Sequence, residues 1–457
     1  ADSVPAAHEP VDALTRCGGR PGGRIGDWRS SFTRMFFLRD GRGLGLGPRG
    51  LPLAVFAIAV ALTWPALTMG QDASQAPPWV ATWGTSPSTP GRFGQAEVAE
   101  TPFENRTLRQ IVHTSVGGDS VRVRLSNRHG SVPLEIGAVH IASRREGAQI
   151  EASSDRALTF GTETSITIPV GAFVLSDPVG LEVLPLADLV ISIYFPSDTG
   201  TPTSHTSATQ TSYISPPGNF AATEQIPDAK TSQSWFFLTA VEVRPSERTG
   251  VVVTLGNSIT DGSGSTVDAN SRWPDHLARR LADRGSGALG VVNAGIGGNR
   301  VLHDLGGFGV NALARLELDV LSLAGVTHVV VLEGINDIGL FGTLAPEEAS
   351  SDEIIAAHRQ LITRVHARGL KIYGATLTPF EGAFYFSPEG EVKRQAVNEW
   401  IRTSGAYDAV IDFDAATRDP TQPSRFRPGF SEDSLHPNDD GYEAMADAVD
   451  LTLFDLN

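Results

Sequence analysis

The sequence predicts an α/β chain built in two parts: an all-β sandwich or jelly roll over residues 77–246, then a five-stranded parallel sheet with helices over residues 247–457. Two observations predict this. Between 77 and 246 short strands alternate apolar and polar residues, turn signals separate them, and no convincing amphipathic helix occurs. After Arg244-Pro245-Ser246-Glu247 strand-like runs alternate with helical ones, as in a parallel sheet with right-handed crossovers.

The bulk numbers narrow the function. A chain of 457 residues is long enough for two or three domains, and 40% hydrophobic with 19% charged residues is a soluble globular composition. A net charge of −16 argues against nucleic acid or an anionic membrane surface as partner. The only cysteine is Cys17, so neither an intrachain disulfide nor a cysteine-based zinc site is expected.

Residues 1–76 read as an upstream segment and a secretory signal. Leu51–Leu67 is an uncharged apolar run preceded by Arg34, Arg39, Arg42 and Arg49, and followed by small and polar residues with cleavage expected near Gly70 or Ala76. The run is short for a membrane span and contains Pro65, which favours cleavage over anchoring. A secreted or periplasmic protein of a bacterial envelope is expected, without stable membrane association after cleavage.

In the β part, Val121–Leu125 alternates strictly, and Leu134–Ile136, 165–168 and Leu189–Phe195 are further strands. Gly117-Gly118-Asp119, Asn127–Gly130 and Pro196-Ser197-Asp198 are the turns between them. In the α/β part the expected strands are Val251–Leu255, Val291–Val292, Val326–Leu332, Lys371–Leu377 and Val410–Phe413. The expected helices are Trp273–Arg284, Asn311–Leu323, Asp352–Arg368, Val392–Thr403 and a closing Gly441–Leu453. Pro274 suits a first helical turn and Gly369 a helix stop.

Four blocks fall where strands end, at the edge where open parallel sheets place their ligands. They are Gly256-Asn257-Ser258, then Asn293 to Asn299 (NAGIGGN), then Gly334-Ile335-Asn336-Asp337, and Asp433-Ser434-Leu435-His436-Pro437 ahead of the last helix. Singly, each is a common turn or cap. Together, and in this order, they assemble a hydroxyl, an imidazole with a carboxylate three residues before it, and amide donors. A serine needs a neighbouring imidazole to accept its proton, and the imidazole needs a carboxylate to fix its tautomer.

On these four blocks, the C-terminal 210 residues or so resemble the SGNH (GDSL-type) hydrolases, a family of serine esterases and lipases. The resemblance implies a flavodoxin-like three-layer domain. It also implies Ser258 as nucleophile, His436 as general base and Asp433 as its orienting carboxylate. Gly298, with Gly297 as the near alternative, and Asn336 would donate to the oxyanion together with the Ser258 backbone N–H. Asn257, Asn299, His303 and Asp337 are expected to line the site, and Asp304 and Asp261 adjoin it. One departure is visible: Gly-Asn-Ser stands where the family name has Gly-Asp-Ser.

Neighbouring readings fail on particular residues. Thr260 occupies the position where an α/β-hydrolase elbow needs its second glycine. Gly295, Gly297 and Gly298 lack the spacing of a dinucleotide loop, and no metal-ligand cluster or cofactor motif stands out. His276, His328, His358 and His366 fall in helices or strands and read as structural or solvent-facing. The expected activity is hydrolysis of carboxylic esters through an acyl-enzyme, on short-chain (acetyl) esters or those of polysaccharides. The alternatives are a lipase or phospholipase, for which Phe380, Phe384, Tyr385 and Phe386 offer apolar material, and a non-catalytic carbohydrate-binding protein.

Overall fold

The computed structural model describes residues 78–89, 102–285 and 288–455. The expected signal segment, with its apolar run 51–67 and both cleavage positions, lies outside the described residues. The described residues belong to the compact unit Asp72–Asn457.

The C-terminal part is a parallel sheet of β1 (Val251–Gly256), β2 (Gly290–Gly295), β3 (Val326–Leu332), β4 (Lys371–Ala375) and β5 (Ala409–Ile411). Its order is β2-β1-β3-β4-β5, with every pairing parallel. All six residues of β1 are buried, so the strand is an unbroken apolar run and does not alternate. The helices are α1 (Ser258–Asp261), α2 (Trp273–Ala282), α3 (Ala312–Leu316), α4 (Ile335–Gly339), α5 (Ser351–His366), α6 (Pro388–Thr403), α7 (Phe413–Thr417) and α8 (Asp439–Asp447). On one face α2 packs on α8; on the other α5 packs on α6. The strand order reverses between β1 and β3, which opens a crevice at their carboxyl ends.

Helix boundaries follow local capping chemistry. Ser350 and Glu353 form a reciprocal capping box at the start of α5, and Gly369 takes a left-handed φ of 71° just past its end. Helix α6 starts four residues before the expected Val392, because Ser387 Oγ accepts the Gly390 N–H (2.9 Å) and Pro388 occupies the first turn. The expected helix Asn311–Leu323 begins as α3 and passes into a π-helical turn at Glu317–Leu321. The expected closing helix is α8 plus a separate 3₁₀ turn at Leu451–Phe454. Asp450 Oδ1 accepts from Thr452 N (2.9 Å) and Oγ1 (2.8 Å), a local turn that competes with helix continuation.

The N-terminal described part is antiparallel. One sheet runs Val80–Gly84, Leu238–Arg244, Gly118–Ser126 and Phe173–Leu175, with Val179–Val183 also paired to Gly118–Ser126. A six-stranded sheet runs Lys230–Ser232, Ser212–Pro217, Arg106–His113, Asp188–Phe195, Ala138–Ser143 and Arg156–Leu158. Alternate residues such as Leu108, Val112, Val121, Val123 and Leu125 fill one hydrophobic core that continues into the parallel sheet. Strand Val80–Gly84 packs beside β2; next to it, Ala81 N–H donates to Ala324 O (2.9 Å), and the Val291 N–H of β2 donates to Ser115 Oγ of the β part (2.9 Å). The β part thus covers the edge strand of the parallel sheet, which would otherwise expose unpaired backbone.

Candidate active site

Strand β1 stops at Gly256, where a Cβ would collide with Thr260 Oγ1. The residue that departs from the elbow pattern is therefore the one that fills the turn. Asn257 caps α1, its Oδ1 accepting the Ile259 N–H at 3.0 Å, and Ser258 becomes the first helical residue at the crevice.

The late loop brings His436 to this hydroxyl. Its Nε2 lies 2.9 Å from Ser258 Oγ, and its Nδ1 lies 2.6 Å from Asp433 Oδ2. Ser434 adopts a left-handed φ of 63°, which folds the turn tightly enough for Asp433 Oδ1 to accept the Leu435 and His436 N–H groups (3.0 and 2.8 Å). Partial burial alone would raise the Asp433 carboxyl, but hydrogen bonds from the His436 ring and backbone, and the His436 charge, hold it well below the usual carboxylate range.

The loop after β2 faces the serine. Gly298 has φ 72°, and a Cβ there would strike the Phe308 ring. Gly297 N–H donates to Asp261 Oδ2 (2.9 Å), whereas Gly298 N–H has no hydrogen-bond partner among the described residues. Asn336, at the start of α4, donates one Nδ2 proton to Asn299 O (2.9 Å), and its Oδ1 accepts from Tyr385 Oη (3.2 Å). Those two contacts settle which way the amide points and leave its other proton for a ligand. A cleft of about 200 Å³ joins these groups, lined by Ser258, Gly298, Asn336 and His436 and by the apolar Leu340, Leu344, Phe384 and Tyr385. Larger cavities, of about 560, 490 and 320 Å³, lie elsewhere and contain none of these residues.

The other residues expected at the site are placed differently. Asn257, Asn299 and Asp337 lie beneath the cleft and do not line it. Asn299 braces the loop through Phe308 O and Val310 O (both 2.9 Å). Asp337 accepts the Val301 and Leu302 N–H groups (2.8 and 3.0 Å), and its burial pushes the carboxyl up to about 6. His303 is half-buried and outside the cleft lining, and Asp304 accepts from Asn311 N and Nδ2 (2.8 and 2.6 Å). His358 is buried between Tyr407 Oη (2.6 Å) and Glu333 O (3.2 Å). His366 pairs with Asp408, His276 with Arg279 and His328 with Thr327.

Two functional supports carried no local signal. Arg315 reads as an ordinary helical arginine, yet it is fully buried. Its guanidinium donates to Gly256 O (2.9 Å), Ala294 O (2.7 Å) and Asn299 Oδ1 (2.9 Å), tying the ends of β1 and β2 to the loop that carries Gly297 and Gly298. It also faces Glu333 at 3.4 Å; burial nevertheless outweighs that charge and pushes Glu333 up to about 8, with Asp337 adding to the rise. Asn257 Nδ2 lies 3.5 Å from Glu333 Oε2. An aspartate at 257 would set a second buried carboxyl group against Glu333, whereas the amide presents an N–H to it. Tyr385 is the second support, through Asn336.

Among the described residues, no group of three or more His, Cys, Asp or Glu could hold a metal ion, and no helix is long and apolar enough to cross a membrane.

Residues 254–444 match the GDSL-like Lipase/Acylhydrolase family, and this part of the chain is a GDSL-like domain. No curated protein matches the sequence. Solved structures similar to it include a GDSL-like lipase from Bacteroides thetaiotaomicron (20% identity, TM-score 0.32, covering 43% of this chain and 84% of that one). They also include a catalytic mutant of an acetylxylan esterase from Geobacillus stearothermophilus (20% identity, TM-score 0.34, covering 46% and 95%). A third is an acetyl xylan esterase (19% identity, TM-score 0.34, covering 43% and 96%).

Proposed function

We propose that this protein is a serine esterase that cleaves carboxylic esters through an acyl-enzyme on Ser258. The observation that carries the reading is the continuous chain Asp433–His436–Ser258, with contacts of 2.6 and 2.9 Å at the mouth of the cleft.

In this mechanism His436 Nε2 takes the Ser258 proton as Oγ attacks the ester carbonyl. The Asp433 carboxylate holds Nδ1–H and balances the charge of the imidazolium. The tetrahedral oxyanion takes hydrogen bonds from the Ser258 and Gly298 backbone N–H groups and the free Asn336 Nδ2 proton. Each such donor lowers the barrier by about 3–4 kcal/mol. The imidazolium returns its proton to the leaving alcohol as the C–O bond breaks. Water then repeats the sequence on the acyl-enzyme, releasing the acid and restoring Ser258.

A cleft of about 200 Å³ suits a short acyl group, so acetyl esters, including those on polysaccharides, are the proposed substrates. A longer acyl chain is a second reading, favoured by Phe384 and Leu344 at the cleft, which are 69% and 40% exposed. Export is proposed from the charged-then-apolar order of residues 34–67.

The test is Ser258→Ala assayed on p-nitrophenyl acetate. Turnover is expected to fall by at least about 10⁴-fold with the fold intact. Undiminished turnover would sink the serine mechanism, and absence of turnover in the unaltered protein would leave the non-catalytic carbohydrate-binding alternative. Relative rates on acetyl, butyryl and long-chain esters and on acetylated xylan separate the two substrate readings.

A further inference from the structure

We propose that the antiparallel β part completes the active site, with His205, held as an imidazolium, acting as a positioning residue for the oxyanion loop. This inference rests on the Ser258 reading above.

His205 lies in a two-residue strand, Ser204–His205, paired with Trp235–Phe236. Its Nδ1 is 2.8 Å from Ser86 O and its Nε2 is 2.9 Å from Asp261 Oδ1. A backbone carbonyl and a carboxylate are both acceptors without a proton. Each ring nitrogen must therefore carry its own hydrogen, which makes the ring a cation. The pair is sealed, with the His205 and Asp261 side chains 3% and 4% exposed.

Asp261 links three parts of the site. It ends the short helix that Ser258 begins, and its backbone N–H donates to Asn257 O (2.8 Å). Its second oxygen accepts the Gly297 N–H (2.9 Å), one residue before Gly298. Its first oxygen is held from the β part by His205. The two residues after His205, Thr206 and Ser207, line the cleft with Ser258 and Gly298. The β part thus supplies one wall and, through the carboxylate, sets where the Gly297–Gly298 turn lies. Displacing that turn would move a donor off the oxyanion in the transition state and leave ground-state binding nearly unchanged.

The charged or titratable groups around the pair are Asp261 itself, Arg272 and Tyr442. Trp235 packs on the His205 ring at 5.6 Å, and Arg272 lies over Trp235 at 5.3 Å. Burial works to strip the His205 proton, but the Asp261 charge, its hydrogen bond and the Ser86 carbonyl outweigh burial and Arg272, so the net direction is upward. A raised value means the hold is fully present below the ordinary histidine value. It is lost as pH rises through the folded value, which lies above the ordinary one.

The experiment compares the full chain with its His205→Ala and His205→Gln variants on p-nitrophenyl acetate, below the melting temperature of each. Intact sites are counted by fluorophosphonate labelling of Ser258. His205→Ala should lower kcat per labelled site by about 10–100-fold with KM changed by no more than about twofold. His205→Gln keeps a donor toward Asp261 and should recover a large part of that loss. It does not titrate, so the alkaline fall in the wild-type kcat profile should disappear in it. Unchanged kcat per labelled site in His205→Ala, or an alkaline fall persisting in His205→Gln, overturns the proposal. If His205→Ala does not fold, the Gln variant alone decides. Turnover surviving Ser258→Ala would remove the serine reading itself, whereas an inactive Ser258→Ala beside an unaltered His205→Gln removes only this inference.

Discussion

The cleft and the seam behind it each hold a histidine–aspartate pair, and the two are built for opposite ends. His436 and Asp433 share one turn, and their side chains are 21% and 55% exposed. His205 comes from a two-residue strand of the β part and Asp261 from the end of α1, and both are almost wholly buried. The ring-to-carboxylate distances are similar, 2.6 and 2.9 Å. What differs is the partner of the other ring nitrogen. For His436 it is the Ser258 hydroxyl, which can give or receive a proton. For His205 it is the Ser86 carbonyl, which cannot. The same two residue types can move a proton in one place and stay locked in the other.

The sharpest way to break this contrast is Asp433→Asn. It should lower kcat on p-nitrophenyl acetate by about 10³–10⁴-fold, through loss of the tautomer and of imidazolium stabilisation. The thermal midpoint should barely move, because Asp433 is 55% exposed and a hydrogen-bonded pair open to solvent adds little stability. A fall in melting temperature with activity retained per folded molecule would make this pair structural like the buried one. Next in size is Asn336→Ala, expected to cost about 10²–10³-fold in kcat with little change in KM, as for loss of one oxyanion donor. An equal change in KM would assign Asn336 to ground-state binding.

The smallest expected effects concern stability around the Gly256-Asn257-Ser258 turn. Glu333 is pushed up to about 8 when folded, far above its ordinary 4.5. A carboxyl with a raised folded value favours the native state most below its unfolded value, and the benefit is lost as pH rises through about 8. Melting temperature should therefore decline across that window, and Glu333→Gln should flatten the decline. Asn257→Asp should destabilise by about 1–3 kcal/mol above about pH 8, where Glu333 is ionised and a second buried carboxylate would lie beside it. That loss should shrink when Glu333→Gln is present, and a scanning melt of the single and double variants measures it.

Much of the frame was legible in the chain. Val326–Leu332 is a strand as the apolar run indicated, and the ends of β1, β2 and β3 carry the Gly-Asn-Ser, NAGIGGN and Gly-x-Asn-Asp blocks. Misplaced boundaries came from caps read too late, such as Ser387 ahead of Pro388, or from a competing turn at Asp450. The supports beneath the site were not legible. Arg315 and Glu333 sit in stretches that a periodic reading leaves exposed or in a loop, yet each has no solvent exposure at all. Nor does anything near His205 in sequence indicate that its partner is 56 residues away.

The sequence by itself determined the local terms. It set strand and helix periods, the caps at Asn257, Ser350 and Ser387, and the turn that holds Asp433 three residues from His436. Each is decided by backbone geometry and hydrogen bonds within a few residues. Tertiary structure decided which histidine faces a hydroxyl and which is sealed. It also decided that Gly297 N–H is spent on Asp261 while Gly298 N–H has no partner among the described residues, and that Asn257 meets a buried Glu333. Protonation and hydrogen-bond roles depend on the groups that packing brings within about 3 Å. Those groups come from segments far apart in the chain, whose meeting no local pattern records.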